Sequence, residues 1–280
     1  NTLIGANAAD KTTTGTNNVA VGSQSLGANT TGANNVAVGA LAGDSITIAS
    51  DNTAVGANAL GICVLGSGNV AIGTSALANT SPSSAANTIN TALGYAAGYN
   101  VTTGTNNLLL GNNSGRSGAP GGVISTGSNA IVLGDENIGD AHIQVDWTVA
   151  SDQRDKTDFT ALDLGLDFVK ALAPVTYKWD KRSKYGDKYA DDYDLNAQTP
   201  DGTHKEDWLD IGFKAQEVEA LEIAAGYDKD NKTNLVSSHT GDGKQMGLQY
   251  SKFVPILVKA IQEQNALIEA LTTRITTLEG

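Results

Sequence analysis

The chain has 280 residues, a net charge of −12 and one cysteine, Cys63. A single cysteine excludes an intrachain disulfide, which argues against a disulfide-stabilised secreted protein and suits a reducing cytoplasm. The acidic charge argues against generic nucleic-acid binding, which requires clustered Lys and Arg. No apolar run reaches about 18 residues, the length that a membrane-spanning helix needs. Because the chain begins with Asn1 rather than Met, we expect it to be part of a longer protein.

Composition divides the chain near residue 150. Residues 1–150 hold 23 of the 32 glycines, whereas Lys11 and Arg116 are their only cations. Residues 151–280 carry the remaining cations and most of the aromatic side chains. This contrast predicts two domains, a shaft over residues 1–150 and a more ordinary globular domain over residues 151–280.

A short phrase recurs through the first domain, an Asn followed by three small or apolar residues and a Gly. The closing glycines of the first five copies are 17 residues apart, and the later gaps of 21, 17 and 23 residues indicate loop insertions on a constant scaffold. A disordered low-complexity segment has no reason to keep such a register, so the pattern predicts a structural repeat. The copies are Asn1–Gly5, Asn18–Gly22, Asn35–Gly39, Asn52–Gly56, Asn69–Gly73, Asn90–Gly94, Asn107–Gly111 and a looser copy that ends at Gly134.

Each copy predicts one short strand between two turn residues, for example Val19–Val21 between Asn18 and Gly22. A weaker apolar position follows, and we expect a second short strand there. Two strands per copy with small residues inside predict a stacked β-solenoid or β-roll. The residues of the second position are Leu26, Leu41, Leu60 and Leu77.

The repeats resemble those of trimeric autotransporter adhesin heads of the YadA type and of many phage fibres, over about residues 1–134. The thin core of small residues agrees with this resemblance, because association of chains would bury more apolar surface. We interpret the repeats as a shaft. The TTG turns (Thr13–Gly15, Thr30–Gly32 and Thr102–Gly104) leave open a polar array for a glycan or ice, but turn chemistry explains them equally well.

The second domain predicts an α+β fold. Leu162, Leu166, Val169 and Leu172 have helical spacing, and Pro174 ends that helix. A strand over Val175–Trp179, an exposed polar loop or hairpin over residues 180–210 and a strand over Ile211–Phe213 follow. A helix that contains Ala215–Leu221 and a strand over Leu248–Tyr250 precede the final helix, at about residues 252–279.

The final helix carries a heptad seam, which predicts a coiled coil. Its apolar residues alternate at intervals of four and three, with one polar interruption that is suited to fixing the register. The alternative is a helix that packs within its own domain. The seam residues are Leu257, Ile261, Gln264, Ile268, Leu271, Ile275 and Leu278.

Four sequence blocks and the coiled coil occur in an order that is similar to the intramolecular chaperone auto-processing domain of phage endosialidases, tail fibres and tailspikes. The blocks are SDQRDK (151–156), LAPVTYKW (172–179), IGFKAQEVEAL (211–221) and LQYSKFVPILVKAIQEQ (248–264). The resemblance implies a homotrimer in which the domain guides assembly of the upstream fibre. It also implies that the domain then cuts itself off.

The resemblance implies that the cleaved bond joins Ala150 and Ser151. Ser151 is then the nucleophile and Lys156 its general base, because a hydroxyl needs a base nearby and a lysine serves only when neutral. Asp152 and Arg154 match further motif positions and are expected to orient the turn. Asp155 stands where the family usually has an apolar residue, and a carboxylate beside Lys156 argues against efficient cleavage.

The sequence thus predicts a self-cleaving chaperone of a virion tail fibre, assembled in the cytoplasm of a bacterial host. The alternative is a trimeric receptor-binding adhesin, which contacts a host glycan or protein and keeps residues 151–280 as a permanent cap. A bacterial autotransporter is disfavoured because the chain ends in a coiled coil rather than in membrane strands. We expect no cofactor and no metal, since Asp228–Lys232 has Lys232 in place of a calcium-binding oxygen ligand.

Overall fold

The computed structural model describes residues 1–188, 190 and 192–280, so that Tyr189 and Asp191 lie outside the description. Within the described helices, none is long and apolar enough to cross a membrane. The division of the chain into domains at Ala150 stays a prediction. By their backbone contacts the residues form two compact units, which we name the solenoid unit (Asn1–Gly139, Asp180–His204 and Thr240–Gln245) and the helical unit (Asp140–Trp179, Lys205–His239 and Met246–Gly280).

The repeats form a β-solenoid, as predicted. Each copy of the phrase contributes one three-residue strand to a parallel sheet in which equivalent residues pair, so that Ala20 lies opposite Ala37 and Ala37 opposite Ala54. β5 and β7 pair separately at one insertion. In chain order the strands of this unit are β1 (Thr2–Ile4), β2 (Val19–Val21), β3 (Val36–Val38), β4 (Thr53–Val55), β5 (Gly66–Ser67), β6 (Val70–Ile72), β7 (Ala86–Asn87), β8 (Thr91–Leu93), β9 (Leu108–Leu110) and β10 (Ile131–Leu133).

Buried asparagines hold the coils in register. The side-chain Oδ1 of Asn35 accepts the backbone N–H of Asn52 at 3.0 Å, and its amide group donates to the carbonyl of Ala49 at 2.9 Å. The same Oδ1 contact joins Asn52 to Asn69 one coil further on. Because a buried backbone donor without a partner is costly, one asparagine per coil satisfies a group that the strands leave open. The ladder ends where Ala130 takes the asparagine's place and donates its N–H to Asn107.

The closing glycine of each copy has a steric reason. Gly22 has a φ of +135°, and a Cβ on it would lie 2.5 Å from the carbonyl oxygen of Gly39. The same close approach recurs between Gly39 and Gly56. Any side chain would therefore push neighbouring coils apart, which explains why the repeat always ends in Gly.

The second strand predicted in each copy is wrong. Leu26, Leu60 and Leu77 are fully buried, but each has a positive φ and lies in a turn rather than a strand. Leu41 is not equivalent to them, because it follows its glycine by two residues instead of four and is 39% exposed. These apolar positions are buried, but in these coils they belong to a turn and not to a strand.

The large buried side chain of a coil occupies one of two positions, which lie three residues apart. Where Leu26 points inward, the residue three positions later is Asn29; in the next coil Gly43 replaces the leucine and Ile46, three positions later, is fully buried instead. A Cβ on Gly43 would lie 2.9 Å from Ile46 and 3.2 Å from Leu26, so the two large side chains share one space. Close packing of this kind leaves no room for both large residues in one coil.

Two segments from the C-terminal half complete the solenoid unit. Residues 180–204 contain 3₁₀ turns at Arg182–Lys184 and Leu195–Ala197, and residues 240–245 form a tight turn. The predicted exposed loop or hairpin over residues 180–210 is wrong in part. Ser183 and Leu195 are only 6% and 1% exposed, because they pack within this unit.

The helical unit is α+β. Its core consists of Leu164, Phe168, Val218, Val236, Phe253 and Ile256. β11 pairs with β12, and β13 with β14, both antiparallel. Its elements are α1 (Leu166–Ala171), β11 (Val175–Tyr177), β12 (Asp210–Gly212), α2 (Ala215–Ala224), β13 (Ser237–His239), β14 (Met246–Leu248) and α3 (Phe253–Glu279).

Several predicted boundaries shift. α1 begins at Leu166 rather than Leu162, because the carboxylate of Glu263 accepts the Leu166 N–H at 2.7 Å and sets the start of the helix. The strand predicted over Leu248–Tyr250 lies two residues earlier, since Tyr250 already begins a 3₁₀ turn. β13 was not predicted.

A buried carboxylate ties α2 to β13. Glu222 is 0% exposed and accepts the backbone N–H groups of Leu235, Val236 and Ser237 at 2.8, 2.5 and 2.9 Å. Three donors offset the cost of burying this group, so Glu222 fixes the hairpin on the helix.

The seam of α3 is exposed in the single chain. Phe253, Ile256 and Ala260, at the start of α3, are buried against the rest of the unit. The apolar seam residues are between 43% (Leu257) and 85% (Leu278) exposed. The alternative of a helix packed along its length within its own unit therefore does not describe this chain.

Candidate active site

The junction between the two halves of the sequence is an exposed segment. Residues 140–161 are exposed throughout, and Ala150 and Ser151 lie in them without regular secondary structure. The first ordered element after the junction is a 3₁₀ turn over Gln153–Asp155. The peptide bond that the sequence marks for cleavage is thus accessible.

The 3₁₀ turn brings Ser151 and Lys156 together. Asp152 opens the turn, and its side chain accepts the backbone N–H of Arg154 at 2.9 Å. The turn folds the chain back, so that Lys156 Nζ lies 2.6 Å from Ser151 Oγ and donates a hydrogen bond to it. This is the distance that a general base needs from the hydroxyl it deprotonates.

Asp152 and Arg154 form a fork that braces the turn. The guanidinium of Arg154 donates to both carboxylate oxygens of Asp152, at 2.6 and 3.1 Å for the shortest contact to each. The side-chain hydrogen bonds of Arg154, followed by its backbone N–H, lower the pKa of the Asp152 carboxyl. Both side chains therefore stay charged at neutral pH, and the pair lies where a turn-orienting role was predicted.

Asp155 does not pair with the lysine that follows it. Within the described part of the chain, the Asp155 carboxylate makes no hydrogen bond or ion pair with Lys156. The expectation that Asp155 opposes cleavage therefore has no direct contact behind it, although the two residues are neighbours in sequence.

An apolar pattern before the junction was missed from the sequence. Ile143, Val145, Trp147 and Val149 occupy every second position, and each is more than half exposed in the single chain. Such alternation is typical of a strand with one buried face. The signal could have been found, because it lies beside the predicted cleavage site.

The comparison with protein families matches the first part of the C-terminal half of the sequence. Residues 151–227 match the family model described as chaperone of endosialidase. The match begins at Ser151, the residue that follows the predicted cleavage site, and it supports the predicted chaperone domain. No curated protein and no solved structure matches the chain. The likeness of the repeats to autotransporter heads stays a prediction.

Proposed function

We propose that residues 151–280 act as an intramolecular chaperone that assembles the β-solenoid into a homotrimeric phage tail fibre and then cleaves the Ala150–Ser151 bond. The observation that carries the proposal is the 2.6 Å contact between Ser151 Oγ and Lys156 Nζ. It lies at the first residues of the segment that matches the chaperone of endosialidase family.

The proposed reaction is an attack of Ser151 on its own preceding carbonyl. Neutral Lys156 takes the hydroxyl proton, and Ser151 Oγ bonds to the carbonyl carbon of Ala150. The C–N bond then breaks, the lysine returns the proton to the Ser151 nitrogen, and the chain is held by an ester. Water hydrolyses this ester, which leaves a carboxylate on Ala150 and a free amino group on Ser151.

Assembly is proposed to precede cleavage. Lys156 is exposed in the single chain, and removal of water from around a lysine favours its neutral form. Three apolar surfaces are exposed in the single chain: the heptad seam of α3, the residues Ile143–Val149, and the outer residues at the third strand position. Those outer residues include Ile4, Val38, Ile72, Leu93 and Leu133. Association of three chains along these surfaces would exclude water from around Ser151 and Lys156, which favours the neutral lysine that the reaction needs.

The experiment is a denaturing gel of freshly purified chain. The parent chain is expected to give two bands that correspond to residues 1–150 and 151–280, whereas Ser151→Ala and Lys156→Met give the full-length band. Lys170→Met is the matched control, because Lys170 is an exposed lysine that pairs with Asp167 away from the junction. A full-length band from the parent chain would contradict cleavage, and cleavage of Ser151→Ala would contradict the assigned nucleophile.

The location follows from the same proposal. The fibre is assembled in the cytoplasm of a bacterial host and becomes part of the virion tail, where residues 1–150 form a shaft that leads toward a host glycan or protein receptor. Mass spectrometry of purified particles tests this, with residues 1–150 expected and residues 151–280 absent or present only as a separate piece.

A second candidate is a receptor-binding adhesin that keeps residues 151–280 as a permanent cap. The observation that favours it is the packing of residues 180–204 and 240–245 within the solenoid unit. Truncation after Ala150 distinguishes the two roles, because a chaperone is needed for folding. A soluble trimer from the truncated chain would support a cap and contradict the chaperone.

A further inference from the structure

The last coil of the solenoid is covered by residues that follow the junction. We name residues 111–139 the closing coil, and the segments 180–204 and 240–245 the latch. Closing coil and latch belong to one compact unit, although the Ala150–Ser151 bond separates them in sequence. Every contact between them therefore joins two pieces that would be separate polypeptides after cleavage.

The centre of this contact is a buried ion pair. Lys188 Nζ bonds to a carboxylate oxygen of Glu136, and the two side chains are only 16% and 3% exposed. Lys181 Nζ also donates to the backbone carbonyl of Glu136 at 3.1 Å, and Lys184 donates to the side-chain oxygen of Asn137. The acidic end of the solenoid thus meets three lysines of the latch. Removal of one partner from a buried pair leaves an uncompensated charge, which is strongly unfavourable.

A second contact lies at the turn of the latch. Asp242 Oδ2 accepts the backbone N–H of Val123 at 3.0 Å, and its other oxygen accepts from the Thr240 hydroxyl at 2.5 Å and from the Lys244 N–H at 3.0 Å. Gly122 has a φ of +71°, and a Cβ there would lie 2.6 Å from the Asp242 carboxylate. The glycine is what lets the carboxylate reach the coil.

The latch also approaches the backbone of the closing coil closely. A Cβ on Gly118, whose φ is +87°, would lie 2.5 Å from the Cβ of Ser183. Ser183 is 6% exposed. The ion pair of Glu136, the hydrogen bond of Asp242 and the close approach of Ser183 involve different residues of both segments. The closing coil and the latch therefore meet over a surface rather than at a single bond.

We infer that cleavage of the backbone between Ala150 and Ser151 does not by itself part the two pieces, and that the latch holds residues 151–280 on the end of the solenoid until the Glu136–Lys188 contact opens. The partner of the closing coil is then the cleaved C-terminal piece. The inference rests on the proposed function only for the position of the natural break.

The test uses a break that does not depend on autoproteolysis. A recognition sequence for a site-specific protease is inserted into the exposed residues 140–150 of the full-length Ser151→Ala chain, and the protein is cut after purification. A denaturing gel shows complete cutting, and size-exclusion chromatography in native buffer shows whether the pieces elute together. Because Ser151 is replaced, this outcome is independent of whether the natural chain cleaves itself.

Both pieces of the cut parent chain are expected in one peak. Lys188→Met is expected to raise the rate at which the two pieces dissociate by at least about tenfold, because Glu136 then loses its buried partner. Glu136→Gln combined with Lys188→Met removes both charges and is expected to recover much of the retention, which a merely misfolded latch would not do. Lys170→Met, in an exposed ion pair outside the latch, is the control and is expected to elute like the parent.

Two outcomes would overturn the inference. Separate elution of the two pieces of the cut parent chain would show that the latch does not hold them. Retention unchanged by Lys188→Met and by Asp242→Asn would show that these contacts are not what holds them.

Discussion

The solenoid buries its regularly spaced apolar residues within one chain, whereas α3 leaves its own exposed. In the solenoid the inward residues contact equivalent residues one coil away, and Ala20, Ala37 and Ala71 are 0% exposed within one chain. In α3 the regularly spaced apolar residues from Leu257 onward are exposed. Both regions repeat, but only the solenoid supplies its own partner for the repeat. Stability of the solenoid interior should therefore depend on one chain, and stability of α3 on association.

The largest expected effect comes from one substitution made in both regions. Ile46→Ala empties a fully buried site of the solenoid and is expected to lower the free energy of unfolding by about 2–5 kcal/mol. Ile268→Ala makes the same change on the seam, where the side chain is 53% exposed in the single chain. We expect Ile268→Ala to act through association, so that it lowers the melting temperature only at protein concentrations at which the parent chain associates.

Thermal unfolding at several protein concentrations makes the measurement. A loss of melting temperature in Ile46→Ala that appears only at concentrations at which the chain associates, together with a loss in Ile268→Ala that is the same at every concentration, would reverse the comparison. Equal and concentration-independent losses would remove the distinction between the two regions.

The next prediction concerns two adjacent asparagines. Asn35→Ala leaves the buried N–H of Asn52 and the carbonyl of Ala49 without partners, which is expected to cost about 2–4 kcal/mol. Asn34→Gly is the matched control. Asn34 is exposed, and within the described residues its side chain bonds only to the side chains of Asn17 and Asp51. Glycine accepts its φ of +59° and keeps its backbone hydrogen bond to Thr16.

Urea unfolding of both variants separates a register-holding asparagine from a turn asparagine. The control is expected to lie within about 0.5 kcal/mol of the parent chain. Equal losses would mean that the inner ladder holds the coils no better than the exposed one does.

The regular part of this fold could be predicted because its contacts repeat in sequence. A spacing of 17 residues places Asn35 over Asn18 whatever the rest of the chain does, so strand, turn and register follow from a local phrase. Misalignment of Leu41 with Leu26 shows the limit even there. The signal for a buried corner is apolar, but it does not distinguish a turn from a strand.

Contacts between distant segments could not be predicted in this way. Glu136 and Lys188 lie 52 residues apart, and no sequence pattern at either position predicts a contact with the other. The start of α1 depends on Glu263, 97 residues away from Leu166. Ser151 and Lys156 were chosen from a family resemblance; a single turn brings them within hydrogen-bonding distance, and their catalytic role stays a proposal.

The smallest expected effect concerns the latch and tests whether it behaves as part of the solenoid. Burial by itself would raise the pKa of the Asp242 carboxyl, but hydrogen bonds from Thr240, Val123 N–H and Lys244 N–H outweigh it and hold the pKa below its ordinary value of 3.8. A lowered pKa in the folded state means that the stabilisation is fully present above the ordinary value and is lost as the pH falls through the folded value.

Hydrogen exchange of two neighbouring amides resolves this effect. The Val123 N–H bonds to the Asp242 carboxylate, whereas the Ile124 N–H bonds to the carbonyl of Gly115, which does not titrate. As the pH falls below about 4, protection of Val123 relative to Ile124 is expected to drop several-fold, since protonated Asp242 is a weaker acceptor. In Asp242→Asn the ratio should be low and independent of pH. A ratio that stays constant in the parent chain down to pH values well below the ordinary pKa would mean that the carboxylate does not hold the closing coil, and that the solenoid ends on its own backbone contacts alone.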